Sequence, residues 1–126
     1  MKSFIFFLFL SVTVVANTAI DDLKKNLSKE WKIQQYETFS VQEMPGPDQI
    51  NDKIHLKEDM TFFIIENGKE YVGKWTIISP ANYISCKSSS GELNKMYKII
   101  SCTDKEAVLE YKDPDLIKTK YYLSAN

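Results

Sequence analysis

The hydrophobic positions along this chain change their period twice. Over residues 20–31, IDDLKKNLSKEW, the apolar positions Ile20, Leu23, Leu27 and Trp31 fall at helical spacing. Asp21 and Asp22 stand at the start of that stretch and Lys24, Lys25 and Lys29 follow, which suits the helix dipole. The spacing predicts a short N-terminal helix or turn that plugs one end of the domain. From Trp31 onward the period is two, as in a strand with one buried face. In WKIQQYETFSV one face carries Trp31, Ile33, Phe39 and Val41, with Gln35 and Glu37 between them. Either two polar groups point inward, or a bulge near Gln34–Gln35 resets the alternation.

Asn67-Gly68 between two β-rich runs is a strong hairpin signal, because a type I′ turn needs positive φ at both central residues. A two-residue loop pairs Glu66 with Lys69, Ile64 with Tyr71, Phe62 with Gly73 and Met60 with Trp75. One face then reads Met60, Phe62, Ile64, Tyr71, Gly73, Trp75, Ile77 and is apolar throughout except at the glycine. An aromatic ring covering a glycine marks a sharply bent sheet, so Phe62 is expected to cover Gly73 at a bend. The outer face keeps Phe63, Ile65, Val72 and Ile78 as an apolar patch.

Further turns follow at 79–82 and at KSSSGEL. Ile78 is expected opposite Tyr83, with Ile84 and Cys86 beside Ile77 and Trp75. The strands NKMYKIISC, AVLEYK and TKYYLSAN complete the series. Ala107, Leu109 and Tyr111 alternate with Val108, Glu110 and Lys112. A last hairpin centred on Asp115 puts Thr119, Tyr121 and Leu123 on the inner face. In the strand before it, one register turns Met96, Lys98, Ile100 and Cys102 inward. The other turns Tyr97 and Ile99 inward and leaves Lys98 in solvent, and the rarity of buried lysine favours it. Short strands every 8–14 residues with turns between them predict an all-β fold, an up-and-down antiparallel β-barrel of about eight strands with a short N-terminal helix. A barrel of that size has room for its own side chains or for one small ligand.

The first segment, MKSFIFFLFLSVTVVANTA, has a lysine, an apolar run from Phe4 to Ala16 and small residues at its end. It reads as a secretory signal peptide over 1–19, cleaved after Ala16 or Ala19, leaving a single domain over 20–126. The run is shorter than a transmembrane anchor requires. The protein is therefore expected to be exported, periplasmic or secreted. Removing Lys2 from 16 basic residues leaves 15 against 17 acidic ones, a net charge near −2, and every basic residue is a lysine. Arginine is the usual bidentate reader of phosphate and guanine, so neither nucleic acid nor an anionic membrane surface is an expected partner.

LSKEWKI before the first strand resembles the opening of lipocalin-like proteins. HLKEDMTFFIIENGKEYVGKWTI, with Gly73-Lys74-Trp75, is similar to the middle of small lipocalin-like (calycin-type) domains of exported bacterial proteins, and YKIISCTDKEAVLEYKD to their late hairpin. The resemblance covers about residues 24–126. It departs at Lys29 and Met60, where those motifs have glycine. It implies a barrel of the kind that commonly holds small apolar ligands, although a fold does not carry a function by itself.

Candidate chemistry is sparse. His55 is the sole histidine and alternates with Ile54 and Leu56, which turns it outward, and no cysteine or acidic spacing suggests zinc or calcium. Ser88, Ser89 and Ser90 lie in a polar turn without a nucleophile elbow. No enzymatic activity, metal or cofactor is expected. Cys86 neighbours residue 95 or 96 across its hairpin, which puts Cys102 on the order of 20 Å along the next strand. A disulfide needs Cα atoms within about 7 Å, so two free, buried thiols are expected. The inner aromatics remain. They are either packed core or the walls of an apolar pocket formed by Phe62, Tyr71, Trp75, Tyr111 and Tyr121, with Met44 contributed by the loop EMPGPDQI acting as a lid. The first expectation is a barrel binding a small apolar molecule at its mouth. The alternative is a non-enzymatic protein-interaction module using the outer patch of the 61–78 hairpin.

Overall fold

A computed structural model describes residues 21–78 and 82–125. The export signal expected over 1–19 lies outside the described residues, as does Ile20. Residues 21–27 form a helix, α1, and the rest is antiparallel sheet. The strands are β1 (Glu30–Thr38), β2 (Val41–Glu43), β3 (Lys53–Leu56), β4 (Thr61–Glu66), β5 (Lys69–Ile78), β6 (Tyr83–Ser88), β7 (Asn94–Cys102), β8 (Glu106–Lys112) and β9 (Lys118–Ala125). Apart from β2, each pairs with its neighbour in order, and β9 pairs back onto β1. The result is a closed eight-stranded antiparallel β-barrel with β2 as a three-residue spur on β1.

The registers follow the hairpin chemistry. Asn67 and Gly68 have φ of 52° and 79°, and Glu66 pairs with Lys69, Ile64 with Tyr71 and Phe62 with Gly73. Ile78 pairs with Tyr83 and Trp75 with Cys86. β1 carries a bulge between Ile33 and Gln35, which resets its alternation without turning Gln35 and Glu37 into the barrel. In β7, Tyr97 is buried and Lys98 is exposed.

One local expectation is corrected. The chain does not run straight through Phe39 to Val41. Phe39 and Ser40 take φ of 52° and 62° and fold the strand back into β2. Phe39 is consequently 77% exposed and Val41 is exposed as well. The first strand therefore buries Trp31 and Ile33 only, and the inward positions beyond the bulge go to Tyr36 and Thr38. The helix stops at residue 27, and Trp31 belongs to β1, where the change of period places it. Met60, at a position where the resembled motif has glycine, has φ of 69° and so adopts the conformation glycine favours.

The lower end of the barrel is sealed. Leu27 from α1 lies fully buried beneath Trp31, whose indole Nε1 donates to the Leu27 carbonyl at 2.9 Å. Trp75 Nε1 donates to the Lys57 carbonyl, also at 2.9 Å. Both tryptophans thus satisfy their one polar group while filling the base with Leu56, Phe62, Ile84 and Leu109. The Lys29 carbonyl accepts the Leu56 amide at 3.1 Å and ties the helix turn to β3. Cys86 is buried and Cys102 half-buried, and both thiols are free.

Candidate functional site

The other end of the barrel is open, and the β1 bulge decides what lines it. With alternation reset after Ile33, Tyr36 and Thr38 face the interior. Tyr36 lies opposite Tyr121 on β9, and Thr38 opposite Thr119, whose hydroxyl is 3.1 Å from that of Thr38. Across the barrel, β7 contributes Tyr97 and β4 contributes Ile64 and Glu66. These residues surround a cavity of about 260 Å³ at the mouth. Ile33, Ile54 and Ile64 form its floor, Tyr36, Tyr97 and Tyr121 its walls, and Glu43, Gln49, Asp52 and Glu66 lie among its polar lining.

The tyrosine rings hold one another in place. Tyr36 meets Tyr121 edge-on, with centroids 5.6 Å apart at 71°, and Tyr121 meets Tyr97 in the same manner at 5.8 Å and 74°. Such geometry aligns the positive edge of one ring with the negative face of the next. Tyr97 also lies 6.1 Å from Tyr111. Burial is the main reason that the hydroxyls of Tyr36, Tyr97 and Tyr121 all hold their protons to higher pH than free tyrosine, with neighbouring charge adding to it. For Tyr36 the next cause is the Asp52 carboxylate.

Asp52 is buried just before β3 and is the anchor of the rim. Its Oδ2 accepts the Tyr36 hydroxyl at 3.1 Å and the Asn67 amide at 2.8 Å, and its Oδ1 accepts the Gly68 amide at 3.2 Å. One carboxylate thereby fastens three things: the β4–β5 turn, the end of the 44–52 loop and a wall tyrosine. Gln49 adds a bond to the Asn67 side chain at 3.1 Å. Opposite, Glu66 pairs with Lys95, whose ammonium stands 4.6 Å from the centre of the Tyr111 ring. The two side chains are 29% and 15% exposed, so the pair sits inside the mouth and not on the outer surface.

The aromatic residues singled out from the sequence are divided between base and mouth. Tyr121 lines the cavity. Phe62 and Trp75 are buried in the sealed base and do not line this cavity. Tyr111 packs behind Tyr97 under Lys95. Tyr71 is half-buried, with Lys69 Nζ 5.4 Å from its ring centre. Met44 is exposed on the 44–52 loop and does not line the cavity. In the outer patch, Val72 is exposed, whereas Phe63, Ile65 and Ile78 are half-buried, and Lys53 Nζ lies 5.4 Å from the Phe63 ring centre.

Tyr36, Asp52, Glu66 and Lys95 were not apparent as site residues. Two of them had a signal. Glu66 shares the parity of Phe62 and Ile64 on β4, and Lys95 is the residue facing buried Cys86. Tyr36 becomes visible only once the bulge is placed. His55 lies on the outer side, with Nδ1 3.8 Å from a Glu30 carboxylate oxygen. Among the described residues no group of three metal-binding side chains comes together. Compared with known proteins, the chain matches no family model, no curated protein and no solved structure.

Proposed function

We propose that this chain is an exported lipocalin-like binding protein, without enzymatic activity, that holds a small molecule in the mouth of its barrel. The observation that carries the reading is the asymmetry of the interior. The base is packed solid, while at the other end three interlocked tyrosine rings stand around an open space with an isoleucine floor. A cavity of about 260 Å³ lies just below the roughly 300 Å³ at which typical ligand sites begin, which suits a ligand with a compact apolar or aromatic body. Its polar end would lie among the rim groups.

The distribution of exposed apolar side chains supports the same end. Phe39, Val41, Met44, Ile50 and Leu116 are all exposed and all belong to the β1–β2 hairpin, the 44–52 loop or the β8–β9 turn, next to the mouth. The outer patch of the 61–78 hairpin offers less, because only Val72 in it is exposed.

NMR amide and tyrosine-ring shifts, recorded while small aromatic and aliphatic compounds are added, test the reading. Perturbations should concentrate at Tyr36, Ile64, Tyr97 and Tyr121, and the Thr119→Trp variant, which fills the mouth, should abolish them. Perturbations confined to Val72 and its neighbours would instead place the binding surface on the outer wall.

A further inference from the structure

We infer that the mouth selects a small organic cation, an amine or quaternary ammonium group carried on an aromatic or apolar body. The inference rests on the mouth-binding reading above and adds the charge of the ligand.

Three observations lead to it. The cavity lining includes three carboxylates, Glu43, Asp52 and Glu66, and no lysine or histidine. A low-dielectric cleft lined by one sign of charge concentrates the opposite sign. Lys95, which pairs with the lining residue Glu66, is already committed, with Glu66 on one side and the Tyr111 ring on the other. It bonds only Glu66 Oε1, so Oε2 makes no hydrogen bond among the described residues. Asp52 Oδ1 accepts a single bond there and keeps a second lone pair.

The second observation concerns the tyrosines. Tyr97 is 2% exposed and Tyr121 is 8% exposed, and neither hydroxyl has a hydrogen-bond partner among the described residues. Yet no fully enclosed side-chain nitrogen or oxygen among those residues lacks a partner. Both hydroxyls therefore open onto the cavity that their rings line. Two nearly buried polar groups facing an open space need a polar group from a ligand or water. Both are close enough to Glu66 for its charge to help hold them protonated, behind burial as the leading cause.

The third is the pairing already made inside the mouth. The protein itself places an ammonium, that of Lys95, between a carboxylate and an aromatic face. Cations are drawn to the negative face of an aromatic ring, and cages of aromatic side chains are a recurrent solution for alkylammonium ligands. Tyr36, Tyr97 and Tyr121 beside Asp52 and Glu66 bring the same two kinds of group, aromatic rings and carboxylates, to the lining of the cavity. An anionic ligand would meet uncompensated carboxylates and would have to pull Lys95 off Glu66.

Three probes of the same size separate the cases: 2-phenylethylamine, 2-phenylethanol and phenylacetate, titrated by calorimetry and followed by NMR at pH 7. The amine should bind at least about tenfold more tightly than the alcohol, equivalent to about 1.4 kcal/mol. Phenylacetate should bind more weakly than either. Glu43 is exposed, so Glu43→Gln should fold normally and weaken the amine several-fold more than it weakens the alcohol. Glu66→Gln should act in the same direction. If the alcohol or phenylacetate shifts the mouth tyrosines at equal or lower concentration than the amine, the charge inference is overturned and mouth binding stands. If none of the three moves Tyr36, Tyr97 or Tyr121, both readings fall.

Discussion

Gly73 and Ser88 face each other across β5 and β6 so closely that a Cβ built on Gly73 would stand 2.6 Å from the Ser88 Cα. The Lys87 carbonyl carbon would be only 2.8 Å away. Phe62 is indeed the partner of Gly73 on the other side, but the glycine is required by the backbone of β6. Backbone cannot rotate aside as a ring can. Gly73→Val should accordingly cost at least the 1–3 kcal/mol typical of overpacking, roughly, and Gly73→Ala should already be destabilising. Urea denaturation of both variants measures this, and parent-like midpoints would mean that β6 does not approach β5 so closely.

Phe39 presents the opposite case, since its side chain is exposed while its backbone is in a left-handed conformation. That conformation costs an ordinary residue about 1–2 kcal/mol and is tolerated better by asparagine. Phe39→Asn removes the strain and gives up no core contact. We expect a gain of about 0.5–1 kcal/mol, read as a rise of a few degrees in Tm. A fall in Tm would show that the Phe39 ring is covered by something in the folded protein.

Asp52→Asn tests the rim anchor. The change replaces one of the two acceptor oxygens with a donor amide, so that either the Asn67 or the Gly68 N–H faces another donor. Losses of this kind cost about 1–3 kcal/mol. Tyr36→Phe removes only one of the three bonds and should cost less. Hydrogen exchange locates the effect: the Asn67 and Gly68 amides should lose protection in Asp52→Asn and retain it in Tyr36→Phe. Uniform loss in both variants would contradict the anchoring role.

Alkaline pH should weaken the fold well before it does so in a protein with exposed thiols. Desolvation pushes the Cys86 thiol up to about 12 and the Cys102 thiol up to about 11, from an ordinary value near 9, with Lys95 and Lys29 opposing the respective shifts. The folded chain then holds protons that the unfolded chain releases above pH 9. Stability is fully present below that pH and declines as pH rises toward 11–12. The buried tyrosines add to the decline from about pH 10. Urea midpoints at pH 8, 9.5 and 10.5 should fall in sequence, and Cys86→Ala should flatten the first part of the trend. A midpoint independent of pH over this range would mean that the thiols are solvated or bonded.

Much of this barrel was legible in its residues because the turn chemistry and the strand period agree. Asn67-Gly68 fixed one hairpin, and parity carried that register outward through Trp75 to Cys86 and Ile84. What escaped was decided by irregularities with weak signatures. Thr38-Phe39-Ser40 contains no glycine, proline or asparagine, yet it makes a turn with two left-handed residues, because the strand has to leave the barrel there. The bulge at Ile33–Gln35 was visible as an interruption of the alternation, but its consequence, Tyr36 in the mouth, needed the position as well as the presence of the bulge. Asp52 sits in a loop, where no periodicity marks a residue as buried. The site residues without a signal, Tyr36 and Asp52, depend on just these irregular places, and the aromatic residues easiest to read, Phe62 and Trp75, were those that fill the base.

The closure of β9 onto β1 also has a consequence for how the chain reaches this state. Every other barrel pairing joins strands adjacent in sequence, apart from the short excursion through β2, and can form as a local hairpin. The β1–β9 seam joins Trp31 to Ala125 and Thr38 to Thr119, a loop spanning nearly the whole domain. Such non-local pairing must close a long loop before its contacts form, and it slows folding more than it changes stability. Until β9 is in place, the edge of β1 that meets it has no partner along the barrel seam. That interval, and not the finished protein, is where it is most exposed to aggregation.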